Sequence, residues 1–166
     1  LQEHSDLIFK IGKNIAHDCK YCGIHWNLAP VVDINNNPNN PVIGYRSYGE
    51  SKELVSEKAI AFTLGTKSEG VLTCAKHFPG HGDTAIDSHL GLPIIEKSKE
   101  ALWENELFPF RELIENGVDS VMIGHLSVPN LSDGKNTPAT LSKEIIKGLL
   151  RKELKFNGVV ISDALN

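Results

Sequence analysis

The sequence predicts an α/β fold, part of a (β/α)8 barrel, on three observations. A helical apolar pattern followed by a short apolar strand pattern occurs four times, each strand runs into a polar residue, and no G-x-G-x-x-G follows any of them. Apolar strands separated by amphipathic helices imply a parallel sheet covered by helices. Polar residues at the carboxyl ends of such strands lie where barrels and doubly wound sheets place their chemistry. A complete barrel takes about 250 residues and this chain has 166, so the expectation is one partial barrel domain spanning residues 1–166, truncated at both ends. A complete flavodoxin-like sheet fits the length, but it would not need the long Asn- and Pro-rich loop from Asp33 to Glu50.

The units follow in order. Leu7, Ile8, Ile11 and Ile15 set a helix within residues 5–22, and Gly23 stops it before the strand IHWNLAPVV. Ser51 caps a helix carrying Val55, Ala59 and Phe62, and Gly70 precedes the strand VLTCA. Ser98 caps a third helix through Leu102, Leu107, Phe110 and Ile114, bent at Pro109, before Gly117 and VDSVMIG. Ser142 caps the last, with Leu141 and Ile146 as a hydrophobic staple and Leu149 and Leu150 on the buried face, before Gly158 and VVIS. The strands end at Asp33, His77, His125 and Asp163.

Bulk properties exclude several classes. With 17 Lys+Arg against 21 Asp+Glu, a net charge of −4 and no basic stripe, the chain lacks the footprint of a nucleic-acid binder. No apolar run reaches the ~18 residues of a membrane span, and the opening LQEHSDLIFK lacks the order of a signal peptide. Three cysteines make no disulfide framework. Cys19 and Cys22, with His17 and His25 in HDCKYCGIH, raise a metal-binding or redox module as the rival reading. Four ligands in so short a run do not easily surround a tetrahedral ion, and the pair ends a helix where a thioredoxin-like motif follows a strand. No metal or cofactor is expected.

Three places carry candidate chemistry. In DINNNPNNPVIGYRSYGE the one cation, Arg46, is either a solvated charge or a fork turned back onto a small polar ligand. The Asp/Asn run lacks the acidic count and closing glutamate of a calcium loop. In KHFPGHGDTAIDSHLGLP, Lys76 and His77 end a strand, and an unpaired lysine there is costly to bury, which favours a pocket. His77 and His81 have the spacing of a helical metal pair, but Pro79 and Gly80 between them exclude the helix. Asp87 stands two residues before His89, close enough in a turn to fix its tautomer and favour the imidazolium, although D-x-H is a common pattern. Asp163, directly after VVIS, is either a helix cap or a catalytic group at a strand tip.

Together NLAPVVDINNNPNNPVIGYRSYGE, AKHFPGHGDTAIDSHLGLP and GVVISDALN resemble the barrel domain of glycoside hydrolase family 3, in its bacterial β-N-acetylglucosaminidase (β-N-acetylhexosaminidase) branch, from about residue 23 to the end. The resemblance implies a retaining exo-glycosidase that removes terminal β-linked N-acetylglucosamine from peptidoglycan or chitin fragments. It implies Asp163 as nucleophile, His89 as acid/base, Asp87 as its assistant, and Arg46, Lys76 and His77 as sugar-binding residues, with His81 and Asp83 structural. Histidine in the acid/base role removes one negative charge from the site, so phosphate could compete with water. A β-glycoside phosphorylase is therefore one alternative; a β-glucosidase of the same family is another, set apart from this branch by the D-S-H element. The family supplies a further substrate-binding aspartate upstream of Leu1, so activity is expected of the longer protein. Localisation is left unknown, with the bacterial cytoplasm favoured over a secreted or wall-associated protein.

Overall fold

The computed structural model describes residues 2–84 and 91–165. Helix α1, Gln2–Tyr21, precedes α2, Lys52–Ser68, and strand β1, Cys74–Phe78. Helices α3, Lys99–Glu104, and α4, Phe108–Glu115, lead to β2, Ser120–Ile123. A π-wound helix, Glu144–Glu153, leads to β3, Val159–Ser162. The three strands are parallel in the order β1-β2-β3.

The predicted first strand runs alongside the free edge of β1. Asn27 N–H donates to Leu72 O at 2.9 Å, Cys74 N–H to Ala29 O at 2.8 Å and Val32 N–H to Lys76 O at 2.8 Å. Regular pairing reduces to two parallel bridges, Trp26 with Leu72 and Val31 with Lys76. Pro30 sits between them without an N–H to donate. Four strand segments thus lie side by side in chain order. A doubly wound sheet reverses its order at a switch point, whereas a barrel adds each strand beside the last. The arc is part of a (β/α)8 barrel.

Helix starts follow local chemistry. Ser51 Oγ accepts from Leu54 N–H at 3.3 Å, Ser98 Oγ from Ala101 N–H at 3.2 Å and Ser142 Oγ from Ile145 N–H at 3.2 Å. Two expectations need correction. The single bent helix after Ser98 is two helices, because Pro109 cannot donate within a helix and settles in the first turn of α4. Leu141 is 76% exposed, so it forms no staple with Ile146. On α1 the row Leu7, Ile11 and Ile15 is 56%, 40% and 40% exposed, and the packed face carries Gly12 and Ala16 instead.

That small face lets α1 and α2 meet backbone to backbone. A Cβ at Gly12 would collide with Phe62 O, and one at Gly65 with Phe9 O. Between α2, α4 and the sheet lies the core, with Val55, Ala59, Phe78, Phe110, Leu113, Val121 and Ile123 all buried. Phe78 and Phe110 meet edge to face, centroids 5.1 Å apart, and each large side chain buried contributes about 1.5–3 kcal/mol. This packing presses the strands into a rigid platform for the residues at their carboxyl ends.

Candidate active site

The site begins at a fault in the sheet. Lys76 pairs with Met122 and Phe78 with Ile123, so the register shifts across His77 and leaves its backbone outside the β1–β2 ladder. Irregularities of this kind re-aim a side chain at a strand end. The His77 N–H turns to the Asp33 carboxylate, 3.2 Å from Oδ1 and 3.1 Å from Oδ2, and His77 Nδ1 lies 2.7 Å from Oδ2. His81 N–H donates to Asp33 Oδ1 at 2.7 Å. Asp33 is fully enclosed, its side chain 0% exposed. Burial by itself raises its carboxyl, but the His77 charge and the hydrogen bonds from His77 and His81 outweigh that and hold it below its ordinary value.

With Nδ1 committed to Asp33, His77 presents Nε2 to Asp163, 3.9 Å from Oδ2. Asp163 N–H donates to Ile123 O at 2.9 Å, extending the ladder one residue past β3 and fixing where the side chain starts. Oδ1 accepts from Ala164 N–H at 2.8 Å, which leaves Oδ2 as the oxygen facing His77. His125 secures the same turn. Its Nε2–H donates to Asp163 O at 3.2 Å and Ala164 O at 2.9 Å, while Nδ1 faces Thr140 Oγ1 at 3.1 Å. Three of the four strand-tip residues therefore act on the fourth directly or through a neighbour.

Lys76 is half-buried on the same face. Burial lowers its pKa and the Arg46 charge adds to that, against the pull of Asp163 and Asp33. Arg46 is exposed and donates from Nη1 to Val42 O at 3.1 Å. Its charge reaches Lys76, but among the described residues its side chain makes no ion pair. Asp87 and His89 lie outside the described residues.

The loop after β1 is pinned to the loop after the first strand. Asn40 Nδ2 donates to His81 O at 2.8 Å and Gly82 O at 3.1 Å, and a Cβ at Gly82 would collide with Ile34 O. Thr84 Oγ1 lies 2.7 Å from His81 Nδ1, and burial lowers the His81 pKa against the pull of Asp33. His81 is thus tied into the loop, and its Nε2 meets no partner among the described residues. Asp83 pairs with Lys97 at 2.7 Å. Among the described residues no group of three or more His, Cys, Asp and Glu side chains comes together to hold a metal ion, at Cys19 and Cys22 or elsewhere. Sequence reasoning named Asp33 and His125 as strand tips without a role; their position there was the available signal.

Residues 2–166 match the model of the glycosyl hydrolase family 3 N terminal domain. The chain belongs to glycosyl hydrolase family 3. It is 39% identical over 167 residues to beta-hexosaminidase A of Pseudoalteromonas piscicida, covering 95% of this chain and 28% of that protein. A solved family 3 beta-N-acetylglucosaminidase from Paenibacillus sp. str. FPU-7 superposes with a TM-score of 0.95 at 46% identity, over 97% of this chain and 30% of that one. The beta-glucoside phosphorylase BglX, bound to 2FGlc, superposes with a TM-score of 0.93 at 32% identity, over 97% and 30%. This family 3 chain therefore spans about a third or less of the length of these relatives.

Proposed function

We propose that residues 1–166 form part of the catalytic barrel of a retaining exo-β-N-acetylglucosaminidase that releases terminal N-acetylglucosamine from peptidoglycan or chitin fragments. The observation that carries the reading is the approach of His77 Nε2 to Asp163 Oδ2, 3.9 Å apart across the carboxyl end of β2, on the two strands that flank it, in a chain of this family. Asp163 Oδ2 attacks the anomeric carbon opposite the leaving group and forms a glycosyl ester. The His89 imidazolium, charged and oriented by Asp87, gives its proton to the departing oxygen. Neutral His89 then takes a proton from water as that water attacks the ester, which frees the sugar and restores Asp163. Lys76, His77 and Arg46 hold the sugar's hydroxyls, and Asp33 fixes the His77 ring from behind.

The test uses the full-length protein and a chromogenic β-N-acetylglucosaminide. Wild type should turn it over, and Asp163→Ala should lower kcat by roughly a thousandfold or more with the fold intact. Normal turnover by that variant would remove the nucleophile assignment. The structural likeness to a beta-glucoside phosphorylase supports a second reading, transfer to phosphate. Inorganic phosphate in the assay would then yield the sugar 1-phosphate in place of free sugar, and free sugar alone would exclude it.

A further inference from the structure

Every backbone polar group of Asp163 and Ala164 is engaged, and the partners outside this turn are Ile123 and His125, at the end of β2. Asp163 N–H donates to Ile123 O, while Asp163 O and Ala164 O both accept from His125 Nε2–H, at 3.2 Å and 2.9 Å. Ala164 N–H is taken by Asp163 Oδ1 at 2.8 Å. Successive carbonyls of an extended strand point to opposite sides, so two that converge on one N–H belong to a chain leaving the strand. His125 stands at the point of departure.

Which nitrogen of His125 carries the proton follows from its neighbours. Carbonyl oxygens only accept, so Nε2 is the donor, and in the neutral imidazole Nδ1 is then an acceptor. Thr140 Oγ1, 3.1 Å away, supplies its hydroxyl proton to Nδ1. Thr140 is itself tied to the chain that leaves β2. It lies in the short helical turn Ala139–Leu141, where buried Ala139 donates its N–H to Leu126 O at 2.8 Å and Pro138 pairs with Ser127. The hydroxyl thus selects the tautomer and orients the ring, and the ring grips the turn.

We propose that His125 and Thr140 are positioning residues for the nucleophile: Thr140 orients the His125 ring, whose Nε2–H holds Asp163 O and Ala164 O so that Oδ2 stays turned toward His77 Nε2. The proposal rests on reading Asp163 as the nucleophile. In this role His125 acts through the backbone of the turn, without touching the reacting oxygen. A reacting group displaced by ~1 Å can cost a hundredfold in rate.

The quantity to measure is kcat/KM of the full-length protein, which reports formation of the glycosyl ester. His125→Ala should lower it about 10- to 100-fold. The factor should be the same for a dinitrophenyl and a methyl N-acetylglucosaminide, because the nucleophile attacks whatever the leaving group. N-acetylglucosamine itself should bind within about twofold of wild type, since the interaction lost is one that serves the transition state. His125→Gln, whose amide N–H can take the place of Nε2–H, should recover most of the loss. Thr140→Val, which keeps the shape and removes the hydroxyl, should lower kcat/KM about 3- to 10-fold, and it carries the test if His125→Ala does not fold. Wild-type kcat/KM in His125→Ala or Thr140→Val, no recovery by His125→Gln, or sugar binding that falls as far as kcat/KM would each overturn the proposal. Asp163→Ala measured alongside separates the two readings. Normal turnover by that variant removes the nucleophile and the proposal with it. An inactive Asp163→Ala beside an unaffected His125→Ala removes only the positioning role.

Discussion

Asp33 is a carboxylate without solvent contact that receives two backbone N–H groups and one imidazole nitrogen. In Asp33→Asn the amide must turn its NH2 toward at least one of those donors, and leaving a buried donor unsatisfied costs about 1–3 kcal/mol. The cost depends on pH in a defined direction. The folded carboxyl is held below its ordinary value, so its contribution is full above about pH 4 and is lost as pH falls through the depressed folded value. Urea melts of wild type and Asp33→Asn should differ most near neutrality and converge on acidification; a gap independent of pH would contradict this account of Asp33. The strand-tip positions of Asp33, His77, His125 and Asp163 were legible in the sequence. That Asp33 stands behind His77 was not, because it depends on the register of two neighbouring segments and on the shift between Lys76 and Phe78.

At the level of elements, four helix-strand units were readable because caps and stops are local. Ser51, Ser98 and Ser142 all accept the expected N–H, and Gly23, Gly70 and Gly117 end their helices at positive φ. Which face of α1 packs was not readable from its apolar row, since Leu7, Ile11 and Ile15 face outward. The contact is made by small residues, whose signal in a sequence is the absence of bulk at Gly12 and Gly65. Gly65→Ala discriminates sharply between propensity and packing. Helix propensity alone would favour alanine by about 1 kcal/mol, whereas the collision with Phe9 O predicts a loss of about 1–3 kcal/mol. A denaturant midpoint that rises in the variant would refute the close approach of α1 and α2.

On the scale of the whole molecule, the side-by-side order of four strand segments carries the barrel assignment, and among the described residues no strand pairs with the outer edge of β3, where Val159 is 53% exposed. The arc contributes the strand tips, and the chain covers 28% and 30% of the relatives compared. The activity is accordingly a proposal that is tested on the full-length protein. The proposed function requires Asp163 to form a covalent bond to the sugar. A 5-fluoro-N-acetylglucosaminyl fluoride, which loads the nucleophile quickly and releases it slowly, tests this directly on the full-length protein when followed by peptide mapping. One equivalent of sugar is expected on the peptide containing Asp163 and none in Asp163→Ala; a label on any other residue, or turnover with no trapped ester, would contradict the nucleophile role.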